Sequence, residues 1–350
     1  DGIKTWEEKW SAMSEWMGND TALHKDIPYE GSNKRFMTGW LNNVLHPMEK
    51  DGVDFWWLDW QQWINDKKLT NLNNTWWINY VMFSDMERNR DTRPMLYHRW
   101  GGLGNHRYQI GFSGDAMISW KSLDFQPYFN STASNVLYCY WSHDIGGHMH
   151  ANSIDPEMYV RWMQFGLFSP ILRSHSTKNA GLNKEPWVFS YPVTRILRNI
   201  VKERYVLNPY IYTMARKTYD NALPLCRPMY YDYADCPQAY EMKNEYMFGD
   251  DMIVRPVTTP RDGAKATAEV WLPKGNDWYE TASGKLIKGG QTVRNGFQLD
   301  EIPVYVKAGS VIPMYADTLK NLQGNDNPVV VSVYPADGDC ESKAEYYEDA

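Results

Sequence analysis

Val53-Asp-Phe-Trp-Trp-Leu-Asp59 is a short, aromatic-rich apolar run that ends on a carboxylate. It has no helical period and reads as a buried strand. Residues 93–97, 108–112, 135–141 and 169–173 read the same way. Helical patterns lie between these runs at 77–90, 119–125 and 157–168, and a longer one over 193–219 is broken at Pro209. Ahead of them Thr5-Trp-Glu-Glu8 has capping-box spacing. Trp6, Trp10, Met13 and Met17 then recur on one helical face, with no strand before it, and Trp6 and Trp10 are expected in the core. Strand alternating with helix, each strand ending in a polar cluster, specifies an α/β fold with a parallel sheet and helices outside it.

After about Asn221 the texture changes. Pro and Gly punctuate strand-like runs at 247–257, 267–272, 278–281, 297–299, 304–307 and 329–334, without helical periodicity. An all-β appendage is expected there, as a sandwich. A closed (β/α)8 barrel needs eight strands, and only five of that type precede the appendage. The chain therefore reads as cut at both ends, since Glu345-Tyr-Tyr-Glu-Asp-Ala350 also stops inside a strand-like pattern.

Lys and Arg number 36 against 43 Asp and Glu, a net charge of −7 that leaves no electrostatic footprint for nucleic acid or an anionic membrane. No apolar run approaches the length of a membrane span. A hydrophobic content of 43% is enough for a sizeable core, whereas 17 Trp and 24 Tyr exceed what packing requires. Cys139, Cys226, Cys236 and Cys340 have no zinc-site spacing, and only Cys226 and Cys236 are placed to bridge across a turn. They leave the compartment open, with a lean toward the periplasm or the outside of the cell. Asn19-Asp-Thr, Asn73-Asn-Thr and Asn130-Ser-Thr fit the glycosylation sequon, a pattern common by chance.

In a parallel barrel, reacting groups sit where strands end. The five strand ends supply Asp59, with Phe55 and Trp57 on its strand face; Arg99 and Trp100; Ser113-Gly-Asp115; His143-Asp144-Ile-Gly-Gly147; and Arg173-Ser-His175. Carboxylates, arginines and histidine converge on one rim. Asp59 and Asp115, on different strand ends among Trp and Tyr, suit glycoside hydrolysis, in which one carboxylate attacks or guides water and the other protonates the leaving oxygen. Aromatic faces pack against the C–H face of a sugar ring, which gives the tryptophan surplus a use. Each group also has a plainer role. An Asp can cap a helix, Arg99 can neutralise a neighbouring carboxylate, and His175 can be a hydrogen-bonded core histidine. Asp59 fits such a role least well, because an acid ending so apolar a strand is costly to bury. A rival chemistry is metal binding by His143, Asp144, His148 and His150, with the two intervening glycines read as a flexible loop.

These residues resemble the motifs of the glycoside hydrolase family 31 α-glucosidases, in the family's order and across essentially the whole chain. Gly52-Val-Asp-Phe-Trp-Trp-Leu-Asp59 is similar to its nucleophile strand, and Arg107-Tyr-Gln-Ile-Gly-Phe-Ser-Gly-Asp115 to its acid/base motif. His143-Asp-Ile-Gly-Gly147, Arg161-Trp-Met-Gln-Phe-Gly-Leu-Phe-Ser-Pro170, Arg173-Ser-His-Ser176 and Lys184-Glu-Pro-Trp187 match as well. So does Glu301-Ile-Pro-Val-Tyr-Val-Lys-Ala-Gly-Ser-Val-Ile-Pro313. The resemblance implies a (β/α)8 TIM barrel preceded by a β-sandwich and followed by proximal and distal C-terminal β-sandwiches. Residues 1–222 would be the later part of the barrel, 223–315 the proximal sandwich and 316–350 the start of the distal one.

The resemblance also implies a retaining, exo-acting α-glycoside hydrolase, an α-glucosidase. Asp59 would be the nucleophile and Asp115 the general acid/base. Arg99, Asp144 and His175 would hold sugar hydroxyls, with Trp57 and Phe112 lining the subsite. No metal or other cofactor is implied. The expected partner is an α-linked oligosaccharide or polysaccharide, and oligomeric state is left open. Two departures stand beside the reacting centre. Trp60-Gln61-Gln62 replaces the Met-Asn-Glu of many members, and Ala116 stands where many have Asn. Both leave the aspartates intact and open the sugar to xylose, galactose or N-acetylgalactosamine as well as glucose. A catalytically silent carbohydrate-binding homologue or fragment is the alternative of a different class.

Overall fold

A computed structural model describes residues 2–59, 63–99, 102–318, 321–322 and 325–349. The chain forms two compact units, Asp1–Phe112 and Ser113–Ala350.

The first unit opens with β1 (Gly2–Ile3), α1 (Trp10–Met17) and β2 (Ile27–Pro28), the two strands pairing antiparallel. A short strand thus does precede the first helix. The helix begins at Trp10 without a side-chain cap, so the capping box at Thr5 is not used. Trp6 stays 77% exposed, while Trp10 and Met13 are buried with Ile3, Ile27, Phe36 and Met37. Two helices absent from the sequence reading follow, α2 (Lys34–Trp40) and α3 (His46–Lys50), joined by a π turn over Leu41–Leu45.

Then come β3 (Trp56–Leu58), α4 (Asn74–Asn89), β4 (Leu96–Arg99) and β5 (Ile110–Phe112), whose strands pair in parallel in that order. The Asn73 side chain accepts from the Trp76 amide and starts α4 earlier than its apolar pattern alone indicates. Strand alternation assigns the faces. Leu58 and Leu96 pack with Ile78, Met82 and Met86, which recur every four residues along α4. Trp57, Asp59, Tyr97, Arg99 and Phe112 fall on the opposite face. Truncating a buried Met82 or Ile78 to Ala costs about 2–5 kcal/mol.

The second unit contains α5 (Trp120–Thr132), β6 (Tyr140–Ser142), α6 (Pro156–Leu167), α7 (Tyr191–Val206) and α8 (Asn208–Asn221). Pro209 lies in the first turn of α8, where its missing N–H costs nothing, so it starts a helix. Residues 169–173 form no regular strand; Ile171 bridges Ser142 in parallel and Ser174 bridges Ile145.

Next come β7 (Cys226–Pro228), α9 (Gln238–Glu241), β8 (Tyr246–Phe248), β9 (Met252–Val254), β10 (Ala266–Leu272), β11 (Trp278–Glu280) and β12 (Lys285–Ile287). The last strands are β13 (Gln291–Phe297), β14 (Val304–Lys307), β15 (Val311–Tyr315) and β16 (Val329–Val333). An antiparallel sheet runs β12-β11-β14-β9-β8-β7, with β10 pairing β13 and β15 pairing β16. Both faces of its central strands are covered. Tyr246, Phe248, Met252, Val254, Val304 and Val306 join the helical core around Trp162 and Phe165. The alternate residues Met247, Ile253 and Tyr305 pack with Val270 and Leu272 of β10. Double-sided burial explains why these strands read as continuous apolar runs rather than alternating ones. All four cysteines are free, so Cys226 and Cys236 form no bridge, and Cys226 is buried.

Candidate active site

In the first unit, the face turned away from α4 gathers an aromatic wall around one ion pair. Trp57 and Tyr97 are paired across β3 and β4, and Arg99 and Phe112 across β4 and β5. The ring centroids of Tyr97 and Phe112 lie 5.0 Å apart and nearly stacked, and Trp57 meets Phe112 edge-on at 5.5 Å. The Arg99 guanidinium sits 5.1 Å from the Phe112 centroid and its Nε donates to Asp59 Oδ1 in a short ion pair. Trp57 is 42% exposed, against 1% for Phe112, so the wall has one open aromatic face and one closed. Phe55 lies before β3 and is exposed. Trp60, Gln61, Gln62 and Trp100 lie outside the described residues.

In the second unit, Asp115, Asp144 and His148 bring ligand atoms within 4.8 Å of one another. The His148 Nε2 stands 3.8 Å from Asp115 Oδ1, and its ring stacks on that of His175 with centroids 4.6 Å apart. Asp144 is buried. Its Oδ1 accepts from Arg173 Nη2 at 2.5 Å and its Oδ2 from the Ala116 amide at 3.3 Å. Ala116 also receives the His148 amide at its carbonyl, so the residue after Asp115 is laced to the loop after β6 through its backbone. Burial, and then the adjacent Arg173 guanidinium, hold the His175 imidazole below its ordinary value. It is therefore neutral at pH 7, able to donate from one nitrogen and accept at the other.

The loop after β6 is packed, not loose. Its residues from His143 to Gly147 are buried. A Cβ on Gly147, at φ +76°, would come within 2.7 Å of the Ile118 Cα, which accounts for that glycine by close approach of backbone. His143 turns inward, Nδ1 2.7 Å from Gln126 Oε1 and Nε2 3.1 Å from Asn130 Oδ1. It is a satisfied core histidine, so the set of His143, Asp144, His148 and His150 is not gathered around one ion. Asn130 of the third sequon is itself buried in its contact with His143.

Sequence reasoning expects Asp59, Arg99, Asp115, Asp144 and His175 on one rim, with Trp57 and Phe112 lining it. The first unit brings Asp59 and Arg99 together with Trp57 and Phe112, and the second brings Asp115 and Asp144 together with His148, which stacks on His175. Sequence reasoning passed over two basic residues. Arg173 was grouped with the rim but given no role. Lys184 was quoted within a motif without one, and its neighbours Asn183 and Glu185 give no sign that it is buried.

A family model described as the glycosyl hydrolases family 31 TIM-barrel domain matches residues 4–214, and one described as the family's C-terminal domain matches residues 222–312. The chain belongs to glycoside hydrolase family 31. It is 32% identical over 225 residues to a mouse (Mus musculus) neutral alpha-glucosidase C, covering 63% of this chain and 24% of that protein. It is 31% identical over 261 residues to an alpha-xylosidase of Saccharolobus solfataricus, covering 73% and 35%. The solved family 31 dextranase of Flavobacterium johnsoniae, complexed with glucose, superposes with a TM-score of 0.80 at 25% identity, covering 94% of this chain and 45% of that one. The chain thus spans about a quarter to a third of the length of these curated relatives. Its fold is the family's TIM barrel followed by a C-terminal β-rich domain. Among the described residues no helix is long and apolar enough to cross a membrane.

Proposed function

We propose that this family 31 chain carries the catalytic carboxylates of a retaining, exo-acting α-glycoside hydrolase that cleaves α-glucosides by double displacement. Asp59 is the nucleophile and Asp115 the general acid and then base. The observation that carries the reading is the Arg99–Asp59 pair set in the wall of Trp57, Tyr97 and Phe112. An arginine bonded to one oxygen fixes the direction of the carboxylate, and the exposed Trp57 face offers a sugar ring an apolar surface. Arg99 and His175 are donors for sugar hydroxyls, and Asp144 joins them through Arg173, whose guanidinium it fixes. Phe112 closes the subsite behind Trp57. The same reading divides the chain into barrel portion 1–222, proximal sandwich 223–315 and the start of a distal sandwich at 316–350. The substrate is an α-linked oligosaccharide or polysaccharide.

The resemblance to an alpha-xylosidase is nearly as close as that to an alpha-glucosidase, so xylose is the second reading for the sugar. Release of 4-nitrophenol from the α-glucoside, α-xyloside, α-galactoside and α-N-acetylgalactosaminide tests both. Turnover of the α-glucoside is expected to lead. Preference for the xyloside replaces the sugar, and release from none overturns the reaction.

A further inference from the structure

We propose that Lys184 is a positioning residue for this reaction: its ammonium ties the backbone carbonyls of Gly147 and His175 together and so fixes the two segments that carry Asp144, His148, Arg173 and His175. The inference rests on the function proposed above.

The geometry is that of a buried clamp. Lys184 is 6% exposed, and Nζ donates in short hydrogen bonds to the Gly147 and His175 carbonyl oxygens. Its own carbonyl accepts from the Tyr159 hydroxyl of α6 at 2.9 Å, which anchors the base of the side chain. Gly146 leaves room for the stem, since a Cβ there would stand 2.7 Å from Lys184 Cε. The two carbonyls belong to the segment after β6 and the segment after residues 169–173. These meet through the isolated Ser142–Ile171 and Ile145–Ser174 bridges and the Thr177 amide donating to the His148 carbonyl, and the Lys184 cation adds a side-chain tie between them. Both acceptors are backbone carbonyls, neutral dipoles rather than carboxylates.

The charged and titratable groups facing Lys184 are Asp144 and Arg173, then His175 with its stacked partner His148, with Glu185 next to it and Tyr159 on α6 and Arg204 and Tyr205 on α7 beside the same cavity of about 710 Å³. Burial brings the Lys184 ammonium down to about 8. Loss of its proton removes the charge that strengthens both hydrogen bonds, so the clamp loosens as pH rises through that value.

The experiment uses Lys184→Met, which keeps the stem, and Lys184→Arg, which keeps the charge and has the adjoining cavity to grow into. Hydrogen exchange at pH 7 reads the clamp without reference to activity. In Lys184→Met, protection is expected to fall together in 144–149 and 173–177 and nowhere else. Turnover of α-glucosyl fluoride, whose fluoride leaves without protonation, reads the consequence. Lys184→Met should lose about 10- to 100-fold in kcat/KM at pH 6.5, the scale of a small misplacement of reacting groups. The wild type should show an alkaline limb near pH 8 that is absent from Lys184→Arg. Unchanged exchange in both segments overturns the clamp. Unchanged kcat/KM in Lys184→Met, or an identical limb in Lys184→Arg, overturns its link to the reaction. Should Lys184→Met fail to fold, Lys184→Arg alone decides through the limb. A wild type inactive on the fluoride and on all four aryl glycosides instead sinks the proposed function, while exchange still judges the clamp.

Discussion

Arg161 in α6 donates from Nη1 to the Glu301 carbonyl oxygen at 2.9 Å, joining a barrel helix to the loop before β14. The same guanidinium reaches the carbonyls of Phe297 and Gln298, and Gln164, one turn on, donates to that of Leu299. Two motifs far apart in sequence are therefore two halves of one joint. Arg161→Ala removes the donors of three buried or half-buried carbonyls and is expected to cost about 3 kcal/mol or more, at roughly 1–3 kcal/mol per unsatisfied group. Arg161→Lys should recover only part, since an ammonium cannot reproduce the planar fork. Urea unfolding followed by tryptophan fluorescence checks both; a midpoint unchanged in Arg161→Ala would remove the joint from the account of stability.

What was legible in the sequence follows from the same residues. The apolar period of α4 and the short run ending at Asp59 are local patterns, and both formed where their side chains repeat. Trp6 was misread because a helical stripe says which residues share a face but not where the helix starts; the chain turns until Trp10. The run at 169–173 is only half-buried from Ile171 on, and it makes isolated bridges rather than a strand. Lys184 was invisible as a clamp, since its acceptors are backbone carbonyls, which leave no mark in a sequence. The glycines of His143-Asp-Ile-Gly-Gly147 were read as looseness, whereas close packing requires them.

Asp59→Ala and Asp115→Ala should each depress kcat severely while the fold survives. Loss of general acid–base catalysis is worth about 10² to 10⁴ in rate, and loss of the nucleophile should exceed it. The two differ in substrate dependence. Asp115→Ala should keep more activity on aryl glycosides, whose leaving groups need little protonation, than on disaccharides. Equal losses on both substrates would falsify the acid role, and near-normal turnover by Asp59→Ala would end the nucleophile assignment.

Activity should survive EDTA. Asp144, the buried member of the Asp115–Asp144–His148 cluster, already accepts from Arg173 and from the Ala116 amide, and His143 is bonded inward to Gln126 and Asn130. A cation entering there has to displace a guanidinium from its carboxylate. Loss of turnover on chelation, restored by one added divalent ion, would instead make these residues ligands.

Glu245, buried with its Oε2 accepting from the Trp271 amide of β10, makes stability depend on pH. Burial pushes its carboxyl from an ordinary 4.5 up to about 8. The folded state then holds a proton that the unfolded state has released, so stability present below about 4.5 is lost as pH rises toward 8. Glu245→Gln has no such proton to lose. Its melting temperature relative to wild type should shift upward between pH 5 and 8, by several degrees on the scale of a small domain. A difference that stays constant across that range would mean the carboxyl titrates normally.

Stereochemistry gives the sharpest test of the Asp59 assignment. If its carboxylate attacks the anomeric carbon from the face opposite the leaving group, the glycosyl-enzyme ester formed is β-linked, and the proton on the departing oxygen comes from Asp115. Asp115, now a base, takes a proton from water, which attacks the anomeric carbon from the opposite face and breaks its bond to the Asp59 oxygen, freeing the carboxylate. Two inversions restore the starting configuration. Proton NMR in the first minutes of hydrolysis, before mutarotation, is therefore expected to show the α-anomer of the released sugar. Should the β-anomer appear first, water attacks directly and Asp59 guides it as a base, and the double displacement has to be abandoned even though both aspartates remain essential.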